Sequence, residues 1–170
     1  MKKILLIFAF CVASFASELN FNTIESDFTQ VVNSKESKVT YTGKFYATSD
    51  NNALWIYYSP TPKKIYFSAT HVVVVEDELE QAVVSKLENT PNLAQILANA
   101  KKITPTLYKA VYDDVEYFIN TKNGLPQSID YQDKLDNKIK ITLNNTIKDK
   151  SIPANLLTPN VPKGYDIITQ

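Results

Sequence analysis

Between Val39 and Thr48 the chain alternates at every step: Val39, Tyr41, Gly43, Phe45 and Ala47 fall on one face, Thr40, Thr42, Lys44, Tyr46 and Thr48 on the other. A period of two belongs to an extended strand half-buried against a core. Similar segments follow at Leu54 to Tyr58, Lys64 to Ser68, His71 to Val75 and Leu79 to Leu87. Turn signals at Asp50-Asn51-Asn52, Ser59-Pro60-Thr61-Pro62 and Glu76-Asp77-Glu78 divide them, which predicts an antiparallel meander. Further strands are expected at Leu107 to Tyr112, Val115 to Asn120, Gln127 to Tyr131 and Lys138 to Ile147, with tight turns at Asp113-Asp114 and Asn123-Gly124.

Two segments read differently. In residues 22–33, Asn22 offers a cap and Ile24, Phe28, Val31 and Val32 stand at i, i+4, i+7 and i+8, a spacing that predicts a helix. At Asn89-Thr90-Pro91, Thr90 is a capping residue and Pro91 suits the first helical position. Leu93, Ile96, Leu97 and Ala100 then form one apolar stripe, predicting a short amphipathic helix over residues 91–101.

Composition limits the function classes. All 18 basic residues are Lys, and 18 acids balance them. Nucleic acid is therefore not an expected partner, because phosphate neutralisation needs a basic excess and no arginine fork is present. Lys2 and Lys3, the apolar run from Ile4 and the small residues ending at Ala16 read as a secretory signal peptide over residues 1–16, leaving one domain over 17–170. Cys11 follows bulky Phe10 inside that run, which does not suit lipid attachment. The exported chain then lacks cysteine, carries 16 Lys against 18 acids and must be held by its packed core.

Catalytic machinery is sparse. One His and three Gly allow neither a histidine-rich zinc cluster nor a phosphate loop, and His71 reads as a turn residue without a serine motif. No cofactor or metal is expected. The acidic clusters at Glu76 to Glu80, Asp113 to Glu116 and Asp130 to Asp136 read as solvated charges at hairpin turns. Bulk is abundant on both strand faces, as in Trp55-Ile56-Tyr57-Tyr58, whereas a half-exposed sheet would have one polar face. Two explanations fit: a closed core under helices, or a sheet curled around an apolar cavity.

The order of these segments resembles the LolA-type outer-membrane lipoprotein carriers. Phe28-Thr29-Gln30 matches the family's F-x-Q, and Gly43-Lys44-Phe45-Tyr46 its glycine and aromatic strand start. Trp55, Tyr57 and Pro60 fall on W-x-Y-x-x-P, Leu79-Glu80-Gln81 on L-E-Q, and Pro162-Lys163-Gly164-Tyr165-Asp166-Ile167 on the closing P-x-G-x-x-[VI]. Departures are equally plain: Ser49-Asp50 replaces a basic residue and proline, Ala69-Thr70 an Asp-Gly turn, and Ala53 a larger apolar residue.

The resemblance implies an α+β fold: a single strongly curved antiparallel sheet, an incomplete barrel, with short helices as a lid over its concave apolar face. It implies a non-enzymatic, monomeric periplasmic chaperone for triacylated lipoproteins. Such a chaperone takes its cargo from an inner-membrane ABC-type release complex and passes it to an outer-membrane acceptor or to that membrane. Phe28, Phe45, Trp55 and Tyr57 become candidates for the acyl-chain cavity, and Leu93, Ile96 and Leu97 for the lid. Ser49 occupies the gate position, where family members with arginine hold the lid closed. The rival readings are a carrier or sensor of another lipid, such as a glycolipid, and a small hydrolase.

Overall fold

The computed structural model describes residues 19–87 and 92–170; the signal-peptide segment and the Thr90-Pro91 helix start lie outside them. The strands are β1 (Thr23–Asn33), β2 (Lys38–Thr48), β3 (Ala53–Ser59), β4 (Lys63–Phe67), β5 (His71–Glu76) and β6 (Gln81–Lys86). After helix α1 (Leu93–Ala98) come β7 (Lys101–Lys102), β8 (Leu107–Tyr112), β9 (Val115–Lys122), β10 (Leu125–Gln132), β11 (Lys138–Lys148) and β12 (Asp166–Thr169). All belong to one sheet, in the order β12-β6-β5-β4-β3-β2-β1-β11-β10-β9-β8-β7. Two meanders are thus joined where β11 returns antiparallel to β1. Among the described strands only β12 runs parallel to its neighbour, β6.

Residues 22–33 are not a helix. They form β1, the strand at the join, paired with β2 on one side and β11 on the other. Ile24, Ser26, Phe28, Gln30 and Val32 share its inner face by alternation. Because Ser26 and Gln30 are polar, the apolar residues of that face recur every fourth position and imitate a helical stripe. Both polar groups have partners: the Ser26 hydroxyl donates to the Asn144 carbonyl oxygen at 2.8 Å, and Gln30 Oε1 accepts from Tyr57 at 2.9 Å. A buried polar group with its hydrogen bond made costs little, so a central strand tolerates both.

The lid is correspondingly smaller than the sequence implies. Among the described residues α1 is the one α-helix, with 3-10 turns at Asp77–Leu79 and Ala154–Leu157. It spans six residues rather than eleven, and its cap is Asn92, whose Oδ1 accepts from the Ala94 amide at 3.0 Å. No described helix is long and apolar enough to cross a membrane.

Apolar residues on both faces are explained by two separate cores. The inner face contributes Phe28, Phe45, Trp55, Phe67, Ile119 and Ile129 to a cluster that includes Leu93, Ile96 and Leu97 of α1. The outer face buries Leu54, Tyr66, Val75 and Ala82 beneath Leu156, Leu157, Val161 and Tyr165. Hence the proline-rich closing segment is the cover of the outer face, and β12 fastens its end to β6.

Candidate functional site: a lidded cavity on the inner face

The motif residues, scattered over thirty positions of sequence, meet on the inner face. Register places Phe28 opposite Gly43, Gly43 opposite Tyr57, and Phe45 opposite Trp55. The Phe28 ring stands edge-on to Trp55 at 4.8 Å and to Tyr57 at 5.0 Å, and Phe45 lies 4.5 Å from Trp55. Edge-to-face aromatic pairs at these separations add about 0.5–1.5 kcal/mol each beyond the area they bury. The Tyr57 hydroxyl donates to Gln30, so F-x-Q and W-x-Y are two halves of one cluster.

In front of this cluster lies a cavity of about 100 Å³. Trp55, Tyr57, Ile65 and Phe67 form one wall, Tyr117, Ile129, Tyr131 and Ile141 the other, and Leu93 and Ile96 the roof. Phe67 on β4 and Tyr117 on β9 lie six strands apart, about 29 Å in a flat sheet at roughly 4.8 Å per strand. Their meeting around so small a space requires the sheet to curl nearly onto itself. Trp55 and Tyr57 therefore line the cavity, whereas Phe28 and Phe45 form the layer behind. Leu93 and Ile96 face it, and Leu97, fully buried, anchors the helix to the core.

One end of the cavity is polar. Gln30, Tyr57, Tyr117 and Tyr131 gather there, toward the hairpins at residues 34–37, 60–62 and 133–137. Burial first, then the neighbouring phenols Tyr131 and Tyr41, hold the Tyr57 hydroxyl well above its ordinary range. Burial likewise raises Tyr131, and it pushes Tyr117 up to about 12, so all three are neutral phenols at pH 7. Composition could not single out Gln30, Ile65, Phe67, Tyr117, Ile129, Tyr131 or Ile141. Only pairing register, which puts Gln30 beside Ile141 and Ile141 beside Ile129, brings them together.

The lid is tied down at one point. Asn92 is completely buried, and its Nδ2 donates to the Asn51 carbonyl oxygen at 2.8 Å while Oδ1 caps α1. The β2–β3 turn is thereby fixed to the lid by an asparagine. Among the described residues the Ser49 side chain makes no hydrogen bond to α1; its amide donates to the Asn22 carbonyl oxygen at 2.9 Å. Ser49 does share a cleft of about 430 Å³ with Ala98, at the far end of α1, and with Asp149.

A larger groove of about 730 Å³ lies over β9, β10 and β11, lined by Asp114, Glu116, Asp130, Asp133 and Asp136. It is open to solvent and mixed in character: the carboxylates, with Asp130 paired to Lys140 at 2.9 Å, alternate with Val115, Phe118, Tyr131 and Ile139. His71 is exposed at the start of β5, its Nδ1 2.8 Å from the Thr70 hydroxyl, and takes no part in the cavity.

Comparison with known proteins agrees with this geometry. Residues 19–116 match the family described as Outer membrane lipoprotein carrier protein LolA. The chain belongs to the LolA family. Among LolA relatives, the outer-membrane lipoprotein carrier protein of Campylobacter jejuni is 41% identical over 169 residues, covering 99% of both chains. That of Wolinella succinogenes is 33% identical over 147 residues, covering 85% of this chain and 86% of its own. In fold, a LolA superfamily protein from Nitrosomonas europaea superposes with a TM-score of 0.51 at 10% identity, covering 85% of this chain and 94% of its own. An uncharacterized conserved protein from Thermus thermophilus reaches 0.56 at 9% identity, covering 91% and 94%. The curved, unclosed sheet is thus the LolA architecture, with strands dominating and helix reduced to α1.

Proposed function

We propose that this LolA-family protein is a periplasmic carrier that holds the acyl chains of lipoproteins on the inner face of its sheet, beneath α1. The observation that carries the reading is an aromatic and aliphatic interior, closed by one six-residue helix, in a chain of the lipoprotein carrier family. Binding rather than chemistry is the activity. A triacylated cargo exposes roughly 45 methylenes, and covering them at about 0.8 kcal/mol each is worth on the order of 35 kcal/mol before entropy is deducted. No such molecule crosses water uncovered.

The cavity beneath α1, about 100 Å³, is only about three times the volume of one molecule of liquid water at roughly 30 Å³. Loading therefore requires α1 to swing away so that acyl chains replace Leu93 and Ile96 against the inner face. Because apolar contact is non-directional, lid contacts exchange for acyl contacts at small net cost, which permits release as well as uptake. Residues 1–16 serve as the export signal and residues 17–170 as the carrier domain. Cargo arrives from an inner-membrane ABC-type release complex and leaves to an outer-membrane acceptor or to that membrane.

The test is retention of a radiolabelled lipoprotein in a soluble complex with the purified protein. The wild type should retain it, and replacing Leu93 and Ile96 together by Ser should lower retention while leaving the sheet folded. Full retention by the double variant would place the acyl site elsewhere. Failure of the wild type to retain lipoprotein, together with mass-spectrometric recovery of a different lipid, would favour a carrier of that lipid.

A further inference from the structure

The polar end of the cavity contains more hydrogen-bonding capacity than the protein uses. Gln30 Oε1 is occupied by the Tyr57 hydroxyl, but among the described residues neither the Gln30 Nε2 nor the Tyr131 hydroxyl has a hydrogen-bond partner. Both residues line the cavity, beside Tyr57 and Tyr117 at its polar end and next to Ile129 and Ile141. Both residues are half-buried, so water satisfies these donors until a ligand that accepts hydrogen bonds displaces it. The arrangement is directional as well. Tyr131 lines the inner cavity and also the open grooves over β8–β11, so it stands where the cavity meets water, with Gln30 further in. The opposite end, under Leu93 and beside Phe67, is wholly apolar.

We infer that Gln30 and Tyr131 form a carbonyl-binding subsite that donates hydrogen bonds to the acyl-ester group at the neck of a bound lipid. This rests on the carrier reading and deepens it by orienting the ligand: acyl tail under α1, ester at the hairpin end, polar remainder in solvent. The chemistry matches on both sides. An ester carbonyl accepts and cannot donate, while a carboxamide nitrogen and a neutral phenol both donate. Tyr57 is the positioning residue, since its hydroxyl holds Gln30 Oε1 and so leaves the nitrogen as the donor available to a ligand.

The experiment compares palmitoyl glycerol, which has the ester carbonyl, with hexadecyl glycerol, its ether counterpart without one. Trp55, the single tryptophan, lines the cavity and reports binding by its fluorescence. The wild type should bind the ester about fivefold tighter for each hydrogen bond made. In Gln30→Leu/Tyr131→Phe the ratio should fall to one, with ether affinity retained. Equal affinity of the wild type for the two ligands would overturn the subsite and leave the carrier reading standing, and this comparison needs no variant to fold. A ratio that persists in the double variant would also overturn it. Failure of the wild type to bind either ligand would overturn the carrier reading and the subsite together.

Discussion

Phe28 lays its ring over Gly43, its register partner on β2. A Cβ built on Gly43 would stand 2.6 and 2.7 Å from two Phe28 ring carbons and 2.0 Å from the Ile56 carbonyl oxygen. The glycine is needed for space, since its backbone angle is ordinary for a strand. Its missing side chain is the slot in which Phe28 supports Trp55 and Tyr57 from behind.

Gly43→Ala should therefore be among the most damaging small substitutions in the protein. The carbonyl is backbone and cannot turn aside, so the β2–β3 pairing must shift; overpacking of this kind costs about 1–3 kcal/mol or more. Denaturant unfolding should show a loss at the upper end of that range, and Trp55 fluorescence should change. A loss under about 0.5 kcal/mol, the range of an ordinary surface substitution, would contradict the argument.

Asn92→Ala should loosen the lid without unfolding the sheet. It removes the cap of α1 and leaves the half-buried Asn51 carbonyl without its donor, together about 1–3 kcal/mol. Hydrogen exchange at the Ala94 and Ile96 amides should accelerate while β1 and β11 stay protected, and lipid uptake should quicken. Unchanged exchange in α1 would mean that apolar packing alone keeps the lid down.

Ser49→Arg should have the opposite effect. Its cleft holds Ala98 at the C-terminal end of α1, where carbonyl oxygens favour a cation, and Asp149 supplies a second partner. Slower uptake and stronger protection of α1 are expected in stopped-flow binding and hydrogen exchange. Uptake as fast as that of the wild type would show that the guanidinium finds Asp149 alone.

A fourth expectation concerns alkaline pH. Tyr57, Tyr117 and Tyr131 have folded-state pKa values raised above the unfolded value of about 10. The folded state therefore favours the protonated phenol. Its contribution is fully present below pH 10 and is lost as pH rises through the folded values, about 12 for Tyr117. Tyr117→Phe should flatten this fall, followed by thermal unfolding at several pH values and by tyrosinate absorbance. If all ten tyrosines titrate together near 10, the burial argument fails.

The strands β2 to β6 and β8 to β11 were legible because their inner positions are apolar and their turns carry Asn, Asp, Gly and Pro, whereas β7 and β12 were not; Asp113 and Asp114, and Asn123 and Gly124, do adopt positive φ. β1 was not legible, because Ser26 and Gln30 interrupt its alternation and their partners, Asn144 and Tyr57, are far off in sequence. The same cause hid half the cavity wall. Trp55 and Tyr57 are visible in a motif, but Tyr131 and Ile141 reach them only through the pairing of β10, β11 and β1. Asn92 was overlooked because Thr90-Pro91 offered a more familiar helix start two residues earlier.

The sheet ends at β7 on one side and β12 on the other, and these two strands do not join. A closed ring fixes its bore by strand number and shear. An open one has no such hoop, so its capacity is set by how far it uncurls. Splaying distributed over twelve strands asks little of any single ladder. A receptacle of this kind has no fixed gauge.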